Sequence, residues 1–181
     1  MRVRAATADD AAAIAAIYAP YVTGSVVSFE TEAPDAAEIA RRMSGGEGKY
    51  PWLVACDEAG ALLGYAYATA FRTRPAYRFS VETTVYVAGD AHKRGIGSAL
   101  YAALLPMLEG QGFVQAIAAI TLPNPASVAL HERFGFRRIG AYEEVGFKQS
   151  GWHSVGLWQR ALAPLSETPA EPLTLDEVQR R

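Results

Sequence analysis

A single cysteine, Cys56, in 181 residues rules out an intramolecular disulfide framework and any metal cluster built on several thiolates. The three histidines, His92, His131 and His153, are too dispersed for a zinc-spaced motif, so no metal is expected. Charge of neither sign dominates: 17 Lys and Arg against 19 Asp and Glu leave a net −2, which argues against a broad nucleic-acid or acidic-membrane footprint. No apolar run approaches the roughly 20 residues that span a bilayer. Met1-Arg2-Val3-Arg4 also lacks the apolar segment of a secretory signal, so the expected location is cytoplasmic. Half the residues are hydrophobic and a fifth are charged, the balance of one globular domain with a sizeable core.

A short strand over 2–5 precedes a helix from Thr7, where Ala11, Ile14, Ile17, Tyr18 and Tyr21 recur at helical spacing and Pro20 limits the length. Residues 23–31 are small and polar and read as a loop that exposes Phe29. A second helix over 35–43 stops at Gly45-Gly46, and strands over 52–56 and 62–69 form a hairpin across Asp57-Glu58-Ala59-Gly60. After an Arg- and aromatic-rich loop over 71–77 come a strand over 79–87 and a helix over 98–109, whose last turn Pro106 should kink. A strongly apolar, central strand over 114–122 follows and is broken by Pro123-Asn124-Pro125. A helix over 126–134 ends at Gly135, and last strands over 137–142 and 154–161 flank a loop over 147–153. From Pro164 the chain is proline-rich and acidic, which predicts a loosely ordered tail over 164–181 behind one domain over 1–163. Helices interleave only partly with strands. The expected fold is α/β (α+β), a central mixed, mostly antiparallel sheet flanked by about four helices.

The strand Val81-Glu82-Thr83-Thr84-Val85-Tyr86-Val87 runs into the basic, glycine-spaced turn His92-Lys93-Arg94-Gly95-Ile96-Gly97-Ser98, and a helix starts at once. Such a turn presents backbone N–H groups at a helix N-terminus, where an anion such as a pyrophosphate can bind. Glu82 sets a carboxylate beside that cradle, an arrangement that suits an enzyme.

The element order, this turn and the segment Asn124-x-x-Ser127-x-x-Leu130-His131-x-x-Phe134-Gly135-Phe136 resemble the GNAT superfamily of acetyl-CoA N-acyltransferases. Tyr50-Pro51-Trp52-Leu53-Val54-Ala55, the Glu82 strand, His131-Glu132 and Gly146-Phe147-Lys148 with Trp152-His153-Ser154-Val155-Gly156-Leu157-Trp158-Gln159 look like the phosphinothricin acetyltransferase family within it. The resemblance spans residues 2–162. It implies the GNAT fold, acetyl-CoA as co-substrate and a homodimer. It also implies that Val85, Tyr86, Val87, Asn124 and Ser127 meet the pantetheine arm, and that residues His92 to Ser98 hold the pyrophosphate. Where the superfamily has Gln or Arg at the first loop position, this chain has His92; Lys93 and Arg94 partly keep the positive charge.

Acetyl transfer to an amine needs a neutral nucleophile, a polarised thioester carbonyl and a proton for the departing thiolate. By resemblance Glu82 is the base, and burial raises a carboxylate pKa into a useful range; the alternative is a solvated carboxylate at a strand end. His131 matches the second catalytic position and titrates near neutrality, although a histidine here can also simply cap or pack. Asn124 has a second role open to it as an N-cap before Pro125. Phe29, Arg72, Arg74 and Tyr77 border the acceptor by resemblance, where guanidiniums grip carboxylate or phosphinate groups; a solvated basic loop is the alternative. Cys56 reads as a core residue. The implied reaction acetylates the α-amine of an amino-acid-like acceptor such as phosphinothricin or methionine sulfoximine or sulfone. Two rivals stand beside it: an acyltransferase for other small amines or protein N-termini, and a CoA-binding module without turnover.

Overall fold

The computed structural model describes residues 1–180. Seven strands form one sheet: β1 (Arg2–Ala5), β2 (Trp52–Cys56), β3 (Leu62–Ala70), β4 (Ser80–Val87), β5 (Gln115–Leu122), β6 (Arg137–Lys148) and β7 (Gly151–Ala161). Their order is β1-β2-β3-β4-β5-β7-β6, and every neighbouring pair is antiparallel except β4 and β5. The mixed sheet expected from element order is therefore present.

Two helical layers cover it. On one face α1 (Ala11–Thr23) and α2 (Ala36–Ser44) set Ile14, Ile17, Tyr18, Val22 and Ile39 against Trp52, Val54 and Tyr65. On the other, α3 (Ile96–Gln111) sets Leu100, Tyr101, Leu104 and Leu108 against Leu53, Ala66, Val81 and Ala116. Local chemistry defines the helix starts. Asp35 caps α2 by accepting from the Glu38 N–H at 2.8 Å. Asn124 caps α4 (Pro125–Arg133) by accepting from the Ser127 N–H at 3.1 Å, with Pro125 at the first helical position.

Pro20 limits α1 as expected: the helix ends three residues later, at Thr23. Three expectations change. Helix α3 begins at Ile96 rather than Ser98 and continues through Pro106 to Gln111. The loop expected over 147–153 is a tight hairpin: β6 and β7 continue to Lys148 and Gly151, and only Gln149 and Ser150 turn the chain, both at positive φ. Neither is a glycine, so the usual hairpin signal is missing from the sequence.

The tail expected to be loosely ordered returns to the body. The Leu173 N–H donates to Gln111 C=O at 2.8 Å and the Leu175 N–H to Gly48 C=O at 2.9 Å, while Glu171 pairs with Arg78 at 2.7 Å. The buried Gln111 amide donates to the carbonyls of Lys49 and Leu173. A short helix, α5 (Leu175–Gln179), follows with a Thr174–Glu177 capping box. That box was readable in the sequence; its docking partners, more than sixty residues away, were not.

One ion pair anchors α1, which carries residues to the site. Arg4 donates to both oxygens of buried Asp10 at 2.7 and 2.8 Å, and the Thr7 N–H adds a third bond at 2.8 Å. The Arg4 hydrogen bonds above all hold the Asp10 carboxyl down to about 2. Because that value lies below the unfolded one of about 3.9, the stabilisation is full above the unfolded value and is lost as pH falls through about 2. Arg4→Met should lower the unfolding free energy at pH 7 by about 2 kcal/mol. Urea denaturation should show that penalty shrinking as the medium is acidified through the carboxylate range.

Candidate active site

The site begins where two strands part. On one side β4 pairs with β3 over its whole inner length, from Gly64 opposite Val87 to Ala70 opposite Val81. On the other it meets β5 only at Ser80, Glu82 and the residue between, opposite Gln115 to Ile117. Beyond Glu82 the two strands separate, and a cleft of about 650 Å³ opens over their ends. The Ala88 N–H donates to Leu63 C=O, so by alternation Tyr86 turns its backbone to β3 while Val85 and Val87 turn theirs to the cleft. The Tyr86 side chain packs instead among Tyr18, Tyr21 and Tyr65.

At the mouth the chain coils through Lys93 and Gly95, both at positive φ (61° and 78°), into α3. Gly95 sits where other residues are strained, and its C=O accepts from the Ala99 N–H, the first bond of the helix. The N–H groups of Ile96, Gly97 and Ser98 therefore have no helical partner, and all three residues line the cleft beside Lys93. His92 lines it as well. Its Nε2 lies 2.8 Å from the Tyr21 hydroxyl and 3.2 Å from Val87 C=O, and Tyr21 donates to that same carbonyl. Arg94 is exposed and outside the lining.

Glu82 lies at the fork, between Thr69 of β3 and Ile117 of β5, half-buried. Burial pushes its carboxyl above the usual range, and the nearby Arg72 guanidinium partly opposes this. His131 is 3% exposed. Its Nδ1 lies 2.7 Å from Ser127 C=O, which can only accept, so Nδ1 carries the proton and Nε2 accepts from the Tyr101 hydroxyl at 2.8 Å. Burial lowers its proton affinity, leaving it neutral with both ring nitrogens engaged. Tyr101 also meets Thr83 at 3.3 Å. Consecutive strand residues point to opposite faces, so Glu82 and the His131 chain approach β4 from opposite sides. His131 reaches only a recess of about 50 Å³ between the parted strands, shared with Thr83, Asn124 and Ser127.

Of the acceptor-side residues, Arg72 is near Glu82 and 3.5 Å from the Tyr142 hydroxyl, with Phe71 and Tyr77 beneath its guanidinium. Phe29 lies across Gly146, its ring 6.4 Å from that of His153. Arg74 is exposed and is not brought to the others.

Comparison with known proteins decides the family. Residues 3–154 match the acetyltransferase (GNAT) domain family. The chain belongs to the GNAT acetyltransferase family. A phosphinothricin N-acetyltransferase of Streptomyces viridochromogenes is 41% identical over 96% of this chain and 95% of its own length. An L-methionine sulfoximine/L-methionine sulfone acetyltransferase of Pseudomonas aeruginosa is 35% identical over 92% of this chain and 98% of its own. Among solved structures, a GNAT superfamily phosphinothricin acetyltransferase from Sinorhizobium meliloti in complex with AcCoA superposes with a TM-score of 0.90, at 41% identity over 97% of this chain and 96% of the other.

The GNAT chain is thus an acetyl-CoA-dependent N-acetyltransferase. Its cleft suits that co-substrate: unpaired helix N–H groups and Lys93 match a diphosphate, and the outward backbone groups of Val85 with the Val87 N–H match a chain of amides. Among the described residues no group of His, Cys, Asp or Glu could hold a metal ion, and no helix is long and apolar enough to cross a membrane. Sequence reasoning missed Tyr21, Val27, Leu130 and Arg133, which also line the cleft. Tyr21 stood only in the helical repeat of α1 and Leu130 only in the GNAT-like segment, and nothing local says that their helices converge on the cleft. Gly95→Ala puts a side chain at φ 78°. It should weaken CoA binding about tenfold in a calorimetric titration, the equivalent of roughly 1.4 kcal/mol of strain.

Proposed function

We propose that this acetyltransferase acetylates the α-amine of an amino-acid-like acceptor with an anionic or tetrahedral polar head, phosphinothricin and methionine sulfoximine or sulfone among them. The observation that carries the reading is Glu82, a half-buried carboxylate of raised proton affinity at the fork of β4 and β5, with the Arg72 guanidinium nearby. The names of the relatives support the same acceptor class. Acetyl-CoA supplies the acetyl group as a thioester. Glu82 takes the proton from the acceptor ammonium, freeing its lone pair to attack the thioester carbonyl; the C–S bond then breaks, and the second proton that the nitrogen loses as the amide forms neutralises the departing CoA thiolate. Arg72 holds the acidic head, and its charge disfavours polyamine or aminoglycoside acceptors. The cleft-facing N–H groups of Val85 and Val87 donate to the bound arm, the Tyr86 N–H being spent on β3.

His131 acts at a distance in this reading. Held neutral between Ser127 and Tyr101, it orders the first turn of α4, where Asn124 and Ser127 border the cleft. Glu82→Gln should reduce kcat by about 10²-fold or more and leave CoA affinity unchanged. In the unsubstituted enzyme kcat/KM should fall as pH drops through a value above the ordinary carboxylate range, the direction in which Glu82 is shifted. Thiol release measured with a panel of amines tests the acceptor class; turnover with cationic amines but not acidic amino-acid analogues would overturn it.

The same reading makes the enzyme a cytoplasmic homodimer. Ile139, Tyr142, Val145, Phe147 and Trp152 are all exposed on the β6–β7 hairpin, which ends the sheet with an unpaired edge. Such a patch suits a second copy of the chain. Replacing Phe147 and Trp152 together by Asp should convert the protein to a monomer in sedimentation, with the fold retained by circular dichroism.

A further inference from the structure

The segment between α1 and α2 has no regular secondary structure, yet it is tied down from several directions. Thr121 of β5 donates to Val27 C=O at 3.3 Å. The Tyr18 hydroxyl donates to Glu30 at 2.9 Å and contacts the Ser28 hydroxyl at 2.6 Å. Arg42 of α2 forks onto the Glu30 carboxylate at 2.7 and 3.0 Å. The last tie comes from the far end of the sheet. Lys148, the final residue of β6, donates from Nζ to the carbonyls of Val22 and Ser28, each at 2.6 Å, and of Glu30 at 2.8 Å.

An ammonium has three protons, and here each has a carbonyl. Lys148 pairs with no carboxylate among the described residues, so its charge is compensated by the curvature of this one loop. Two residues earlier, Gly146 lets the loop close on the hairpin: a Cβ there would lie 2.1 Å from the Phe29 ring. Val27 lines both the cleft and its recess. The loop therefore forms a wall of the site, and the hairpin holds it.

We propose that Lys148 is a positioning residue for the acceptor: it clamps the loop bearing Val27 and Phe29 against the β6–β7 hairpin and so shapes the acceptor side of the cleft. The inference rests on the acceptor reading above. Lysine suits the task because a tetrahedral ammonium can aim three protons at three converging carbonyls, whereas the planar guanidinium of arginine cannot.

Lys148→Met tests it through hydrogen exchange, CoA titration and steady-state kinetics. Amides of residues 25–31 should exchange about tenfold faster while β4 and α3 keep their protection. Acceptor KM should rise about tenfold with kcat changed by less than about threefold, and the CoA Kd, to which the loop contributes only through Val27, should rise by less than about threefold. Unchanged exchange in the loop would overturn the proposal, as would faster exchange with an unchanged KM, or a CoA Kd that rises as much as the acceptor KM. If Lys148→Met does not fold, Gly146→Ala displaces Phe29 from the same junction and leaves the lysine in place; wild-type exchange and KM in that variant would equally overturn the proposal. Failure of the acceptor class itself looks different: the unsubstituted enzyme then releases no thiol with amino-acid analogues. KM is in that case read with whichever amine it does acetylate, and if it acetylates none the loop exchange alone decides.

Discussion

The short parallel contact between β4 and β5 governs this molecule. Each strand is fully paired on its outer side, β4 with β3 and β5 with β7, so neither can turn toward the other without breaking a ladder. Between themselves they share a register only from Ser80 to Glu82. Past that point the backbone of β4 faces open space, a state a buried strand tolerates only if a ligand or water satisfies its polar groups. The cleft, the exposed donors of Val85 and Val87, and the half-burial of Glu82 all follow from that fork.

The two layers divide the labour at the fork. From the α1–α2 side come the tyrosines that pack around Tyr86 and the loop bearing Phe29, the same face on which Glu82 lies. From the α3–α4 side come the helix N-terminus beside Lys93 and the Thr83–Tyr101–His131–Ser127 chain. Both faces must dock for the site to exist, so catalytic competence and the folding of the whole sheet are one event. The tail adds a strap at the opposite end of α3, through Gln111, far from the chemistry.

Much of this was legible along the chain. Alternation marked β4, the apolar run marked β5 as central, and Asn124 before Pro125 marked a helix start. Glycine spacing and basic residues marked the cradle, and motif order pointed to the GNAT family. Asn124 does cap α4, as one of its two readings held. Illegible were the hairpin turn at Gln149 and Ser150, which lacks glycine, and the docking of the tail, whose partners are remote. Arg74 was grouped with Arg72 because the resemblance places their whole loop beside the acceptor; only Arg72 is turned toward Glu82 and Tyr142.

His131 shows where sequence reasoning stops. Its type and spacing allowed either a titrating group or a packed one, and the protonation state depends on what surrounds the ring. Burial and two internal partners make it neutral, and that surrounding is assembled from Tyr101 and Ser127 on two different helices. The sequence by itself determined the elements, their order and the chemical types available, since caps, alternation and glycine turns are local properties. Only the tertiary structure decided which backbone groups of β4 stay free, which face each candidate side chain takes, and that Lys148 holds a loop more than a hundred residues away. Those are outcomes of long-range packing, where partners distant in sequence set burial, proton affinity and reach.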